Sequence, residues 1–156
     1  MKLKRLRVLS IVFLVVAFVA IQWDKVAAAA SFTVLSDLSN GSTFSRASAI
    51  SADGSTVIGQ SRSASGWEGF VWKASTGMVG LGDLPGGQFD SSARGVSADG
   101  SIVVGGSSAG PGGGAFIWDA VNGMRGLGTL PAGYDFSEAS GVSADGSKVT
   151  GSVFVD

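Results

Sequence analysis

Three aspartates recur in register. Asp53, Asp99 and Asp145 stand 46 residues apart, each inside the same Ser-Ala-Asp-Gly-Ser pentapeptide. A carboxylate repeated once per unit invites a calcium reading, because calcium takes oxygen ligands. A calcium loop, however, gathers several acids within about a dozen residues, and each unit offers one. The residue after each Asp is Gly, and Asp-Gly is favoured in tight hairpins, where a type I′ turn needs positive φ at both central residues. The turn is therefore the expected role of these aspartates.

Other chemistries find less. Glycoside hydrolysis needs two carboxylates flanking the scissile bond. Glu68 and Glu138 are the only glutamates and occupy non-equivalent positions in the repeat. There is no His and no Cys, so zinc, copper and haem lose their usual ligands, and no disulfide or thiol nucleophile is available. A Ser–Lys dyad would need Lys73 or Lys148, and nothing singles out either. The Gly-rich residues 110–114 are not a phosphate loop, since no Lys-Ser/Thr follows them. Trp67, Trp72 and Trp118 can stack on sugar rings. Trp72 and Trp118 occupy equivalent positions, which points to core packing. Trp67 is unrepeated and is the better candidate for surface contact. No catalytic, cofactor-binding or metal-binding residue is assigned, and the chain is expected not to be an enzyme.

The pentapeptide belongs to a longer unit. Copies run over 32–77, 78–123 and 124–156, and the second and third match at 18 of 33 shared positions without a gap. The third stops 13 residues short of a full period. Each unit reads as four short strands. In the second copy these are 78–84, 93–97, 101–106 and 115–118, the last Ala115-Phe116-Ile117-Trp118, with Phe116 and Trp118 on one face and Ile117 on the other. A strand apolar on both faces belongs in a sheet stacked between other sheets. All 25 glycines fall after residue 31, too densely for helix. The expected fold is all-β: tandem four-stranded antiparallel repeats of 46 residues, each like a β-propeller blade. Propellers close with about four to eight blades, so three readings stay open: a piece of a longer array, several chains completing a ring as a homo-oligomer, or an open stack. A truncated gene product with no stable fold is a further reading.

The first 30 residues read separately. Lys2, Lys4, Arg5 and Arg7 precede an uncharged run at 8–21, and Ala28 and Ala30 fit a small-residue cleavage rule. That order is a secretory signal peptide. The run is shorter than the roughly 20 apolar residues of a membrane span, so no span is expected after cleavage, and the remainder, 31–156, is one β-repeat domain. With five of the eleven basic residues and one of the twelve acidic residues lying in the leader, the remainder carries a net charge of −5. That disfavours nucleic acid, which needs a basic patch. Export without cysteines points to a bacterial source.

Three motifs in fixed order resemble the HAF family of probable extracellular repeats: Gly-Val-Ser-Ala-Asp-Gly-Ser around Asp99, Ala115-Phe116-Ile117-Trp118, and Gly-Met-x-Gly-Leu-Gly from Gly77 and Gly123. The eponymous His position holds Glu68 in one copy and Gly114 in the other. The resemblance implies an exported β-rich protein. It transfers no activity and no functional residue. The expected function is a secreted or cell-surface binding or structural module. Its variable loops, 62–67, 88–91, 107–113 and 134–137, would carry recognition of a glycan or a surface protein. The alternative is a piece of an extracellular propeller enzyme acting on carbohydrate.

Overall fold

The computed structural model describes residues 32–41, 43–108 and 114–155. The leader expected at 1–30 lies outside them, as do residues 109–113 of one variable loop. Every regular element described is a strand. The first sheet is β1 (Ser45–Ile50), β2 (Thr56–Arg62), β3 (Trp67–Lys73) and β4 (Gly77–Gly80), antiparallel throughout and in chain order. The second repeats it with β5 (Ser91–Val96), β6 (Val103–Ser107), β7 (Ala115–Asp119) and β8 (Gly123–Gly126). The third pairs β9 (Phe136–Val142) with β10 (Val149–Phe154). The described residues are thus all-β, in antiparallel sheets packed one on another and none closed into a barrel, as the four-stranded repeat predicts.

The sheets are offset from the repeat as written in sequence. The strand expected at 78–84 is only Gly77–Gly80, and it pairs with β3 of the preceding sheet through Trp72↔Met78 and Val71↔Val79. Gly77 turns the chain back at φ 71° and Gly82 ends the strand at φ 81°. Residues 81–84 then cross between sheets: the Leu81 amide donates to Gly69 O, and the Leu84 amide to Ser107 Oγ at 3.1 Å.

The Asp-Gly hairpin also differs from expectation. The Gly54, Gly100 and Gly146 amides donate to Ser51 O, Ser97 O and Ser143 O at 2.9, 3.1 and 2.9 Å. Each turn therefore has Ala and Asp at its centre, and only the Gly beyond takes positive φ, at 73°, 69° and 75°. A type I′ turn is excluded, because Asn40 is the one described non-glycine residue with positive φ. The Asp stays right-handed because its carboxylate is tied to the serines on either side.

Two devices let the sheets stack closely. A register shift at the same place in β1, β5 and β9 leaves Ser48, Arg94 and Ser140 outside the ladder, a β-bulge that bends the strand. Opposite it, a Cβ on Gly59, Gly105 or Gly151 would sit 2.0, 2.0 or 2.1 Å from a carbonyl oxygen of the bulged strand. The rings of Phe70 and Phe116 fill the space over Gly59 and Gly105, their register partners. Between the first two sheets lies the core: Ile58, Val71 and Leu81 against Ala93, Val103 and Phe116, with Val96, Trp118 and Met124 packed on it. Every residue of β6 is buried, as a strand covered on both faces requires.

The turns stack as well. The Asp53 amide donates to Ala98 O at 3.2 Å, and the Ala98 amide to Ala144 O at 3.0 Å. Gly100 lies against buried Thr56, where a Cβ would be 2.1 Å from Thr56 Oγ1, and Gly146 lies against Ile102. Gly54 has the same φ and nothing within 4 Å. Gly54→Ala should therefore cost only the left-handed backbone strain, about 1–2 kcal/mol, whereas Gly100→Ala should cost distinctly more; urea unfolding of the two variants measures the difference. Phe116→Ala, which empties a fully buried site, is expected to lose roughly 3–5 kcal/mol in the same assay.

Candidate functional site

The repeated aspartates are turn-builders. Asp99 Oδ1 accepts from Ser97 Oγ at 2.7 Å, the Ser101 amide at 3.0 Å and Ser101 Oγ at 2.8 Å. Ser97 Oγ in turn accepts from the Ile102 amide at 3.0 Å. One hydroxyl thus joins the carboxylate to the returning strand. The same clasp holds Asp53 between Ser51 and Ser55, and Asp145 between Ser143 and Ser147. Hydrogen bonds to a carboxylate favour its charged form. The Ser97 hydroxyl, then the Ser101 amide and hydroxyl, hold Asp99 down to about 2, and the matching groups hold Asp145 there. Among the described residues, no group of three or more acids could hold a metal ion.

The remaining single candidates separate. Glu68 Oε1 accepts from the Gly82 amide at 2.9 Å, with its carboxylate lying over Gly80. Glu138 pairs with Arg94 of the neighbouring sheet. The two glutamates are therefore committed to different partners. No hydrogen bond joins the side chain of Lys73 or Lys148 to a serine among the described residues. Trp118 packs on the core between sheets, and Trp72 stands at its counterpart in β3, half-buried beside Val57 and Met78. Trp67 opens β3 rather than lying free in a loop: Phe44 meets it at 5.2 Å and 84°, and the Arg62 guanidinium covers its ring at 4.1 Å.

What sequence reading missed is a cleft of about 740 Å³ along the β1, β5 and β9 side of the stack. The repeat frame brings one position from each copy to it, and that position holds Arg46, Ser92 and Glu138. Arg94, pushed out of its ladder by the bulge, reaches across to Glu138, and Gly106 leaves room for that carboxyl, since a Cβ there would be 3.1 Å from Glu138 Oε1. At the cleft's other side, Gln60 Nε2 donates to Asp90 Oδ1 at 3.3 Å and to Ser91 O at 3.1 Å. Burial pushes the Asp90 carboxyl up, the Asp83 charge adds to this, and Arg62 opposes it. Phe136 and Phe154 form an apolar wall, their centroids 6.1 Å apart.

Three of the four variable loops named from sequence meet at this cleft, through Asp90, through Ser107 and Ser108, and through Asp135 and Phe136. The fourth touches the same region: Trp67 forms a bridge with Asp90. The unlike residues at Arg46 and its equivalents one and two periods on were visible in the sequence. Their shared location was not, because it depends on how the sheets stack.

Chemically the cleft offers two guanidiniums, an amide, carboxylates and two aromatic rings, with no imidazole or thiol. It can hold a polar ligand by hydrogen bonds and an apolar wall. Compared with family models, curated proteins and solved structures, the chain matches none.

The clasps predict a pH dependence. A carboxyl held below its ordinary value of 3.8 in the fold binds protons more readily when unfolded. Its stabilisation is complete above 3.8 and is lost as pH falls towards about 2. The double variant Asp99→Asn/Asp145→Asn keeps an acceptor oxygen in each turn but removes the titration. Its thermal midpoint should fall less steeply than the parent's between those two pH values.

Proposed function

We propose that this chain is an exported β-repeat binding module whose cleft recognises a glycan. One observation carries the reading: the positions that build turns and core are repeated, whereas equivalent positions facing the cleft hold Arg46, Ser92 and Glu138. A scaffold kept constant beneath a variable polar surface is the arrangement of a recognition protein. The hydroxyl-matching groups Gln60, Asp90 and Arg46, set beside the Phe136–Phe154 wall, suit a sugar, which presents hydroxyls on its rim and an apolar face. The likeness to the HAF repeats and the signal-like residues 1–30 support an extracellular location. Catalysis has no part in this reading: the two glutamates are committed to the Gly82 amide and to Arg94, and Asp53, Asp99 and Asp145 to turn clasps.

The test is a glycan array probed with the full chain, followed by titration of the retained sugar. Arg46→Ala and Glu138→Gln should each weaken binding about tenfold or more, the loss expected when one hydrogen-bonding partner is removed from a bound polar ligand. Ser75→Ala, in the exposed β3–β4 turn, should leave it unchanged. Retention of no glycan, or affinity indifferent to both cleft variants, overturns the proposal.

A further inference from the structure

The cleft repeats itself along the stack. β1, β5 and β9 are the same strand in three successive sheets, and β5 lies beside both of the others. Each pairs with the strand that follows it, and one register pair recurs every 46 residues: Arg46↔Gln60, Ser92↔Gly106 and Glu138↔Ser152. Arg46, Gln60, Ser92, Gly106 and Glu138 all line the cleft. A row of equivalent positions therefore crosses three sheets. Sheets packed face to face lie about 10 Å apart, so the row is about 20 Å long, more than a single sugar ring covers. Both junctions lie within the array, so the row does not depend on how the array ends.

A polar contact bridges each junction. Gln60 Nε2 reaches from the first sheet to Asp90 Oδ1 and Ser91 O of the second. Glu138 reaches back from the third sheet to Arg94 of the second. Both lean towards the middle sheet, whose own pair, Ser92 and Gly106, is the smallest of the three. Gly106 is buried and Ser92 half-buried, so the centre of the row is left low between longer side chains. The Arg46 guanidinium and the Ser92 hydroxyl make no hydrogen bond or ion pair among the described residues, and both are open to a ligand. The two junctions also differ in chemistry. Asp90 lines the cleft at the first, and its equivalent one period on, Phe136, lines it at the second.

We propose, on the basis of the glycan reading, that the cleft binds a linear oligosaccharide lengthwise along the stack, with one subsite at each sheet junction. The first subsite, with Arg46, Gln60 and Asp90, holds the hydroxyl rim of one portion of the chain. The second, with Phe136 and Glu138, holds the apolar face and a hydroxyl of the next. The linkage between them crosses the low floor at Ser92 and Gly106.

The glycan that the full chain retains is titrated by calorimetry as a length series from monosaccharide to hexasaccharide. The tetrasaccharide is expected to bind about tenfold or more tightly than the disaccharide, the factor that one further polar contact supplies. With the tetrasaccharide, Arg46→Ala and Glu138→Gln should each weaken binding about tenfold. With the disaccharide, at most one of them should. Ser92→Trp blocks the row at its centre and should bring the tetrasaccharide down to the disaccharide's affinity while circular dichroism stays unchanged. A disaccharide that binds as tightly as the tetrasaccharide, or that both end variants weaken, overturns the lengthwise mode and leaves the glycan reading standing. Retention of no glycan of any length overturns both.

Discussion

The serine hydroxyl at the head of each hairpin is the contact on which the stack depends. Ser97 Oγ gives its proton to Asp99 and takes the Ile102 amide, so one atom fixes the turn's acid and the strand's return together. Backbone hydrogen bonds alone do not specify which way a hairpin loop leans. The clasp does, and the turns then hydrogen-bond to one another from sheet to sheet through Asp53, Ala98 and Ala144. The glycine that ends each turn must be small for two reasons: its φ is left-handed, and in the second and third copies the preceding sheet lies against it. Local geometry and long-range packing thus meet in five residues, which is why those five are the best kept of the repeat.

The remaining stacking contacts follow the same economy of short polar side chains. Ser91 Oγ accepts the Gly69 amide at 3.0 Å and donates to Gly82 O at 2.6 Å, tying the first sheet to the second, and Ser137 Oγ accepts the Ala115 amide at 3.1 Å one period later. These serines are buried, as are Ser61 and Ser107. Burying a hydroxyl without a partner is costly, and among the described residues no buried side-chain nitrogen or oxygen lacks one. With small residues at the interface the backbones approach closely, and the bulk of the core between the first two sheets is then supplied by Phe116, Trp118 and a few branched residues.

Much of this was legible in the sequence. The all-β class, the four strands per period and the opposed faces of Phe116 and Ile117 follow from spacing and residue type, and the structure shows them. The strand at 78–84 was read too long and given to the wrong sheet, because periodicity marks a unit's length but not where a sheet begins. The Asp-Gly pair pointed to a type I′ turn because the bare dipeptide carries no sign of the serines that hold Asp99 right-handed. The cleft was only half legible: the variable loops were identified, but their convergence is a property of how the sheets stack. Arg46 and Glu138 lie 92 residues apart in the chain, and only the stacking angle brings them to one surface.

The bulge has a consequence for how such a protein can change. Ser48, Arg94 and Ser140 stand outside the ladder, so the identity of that residue is not constrained by strand pairing. A duplication of the unit therefore copies one address per sheet that pairing leaves unrestricted, and in the second sheet that address, Arg94, faces the cleft. Mutation can rewrite that address without disturbing the register, the clasp or the core. Selection on such an array acts on a short string of independent letters laid over a scaffold that tolerates almost any spelling.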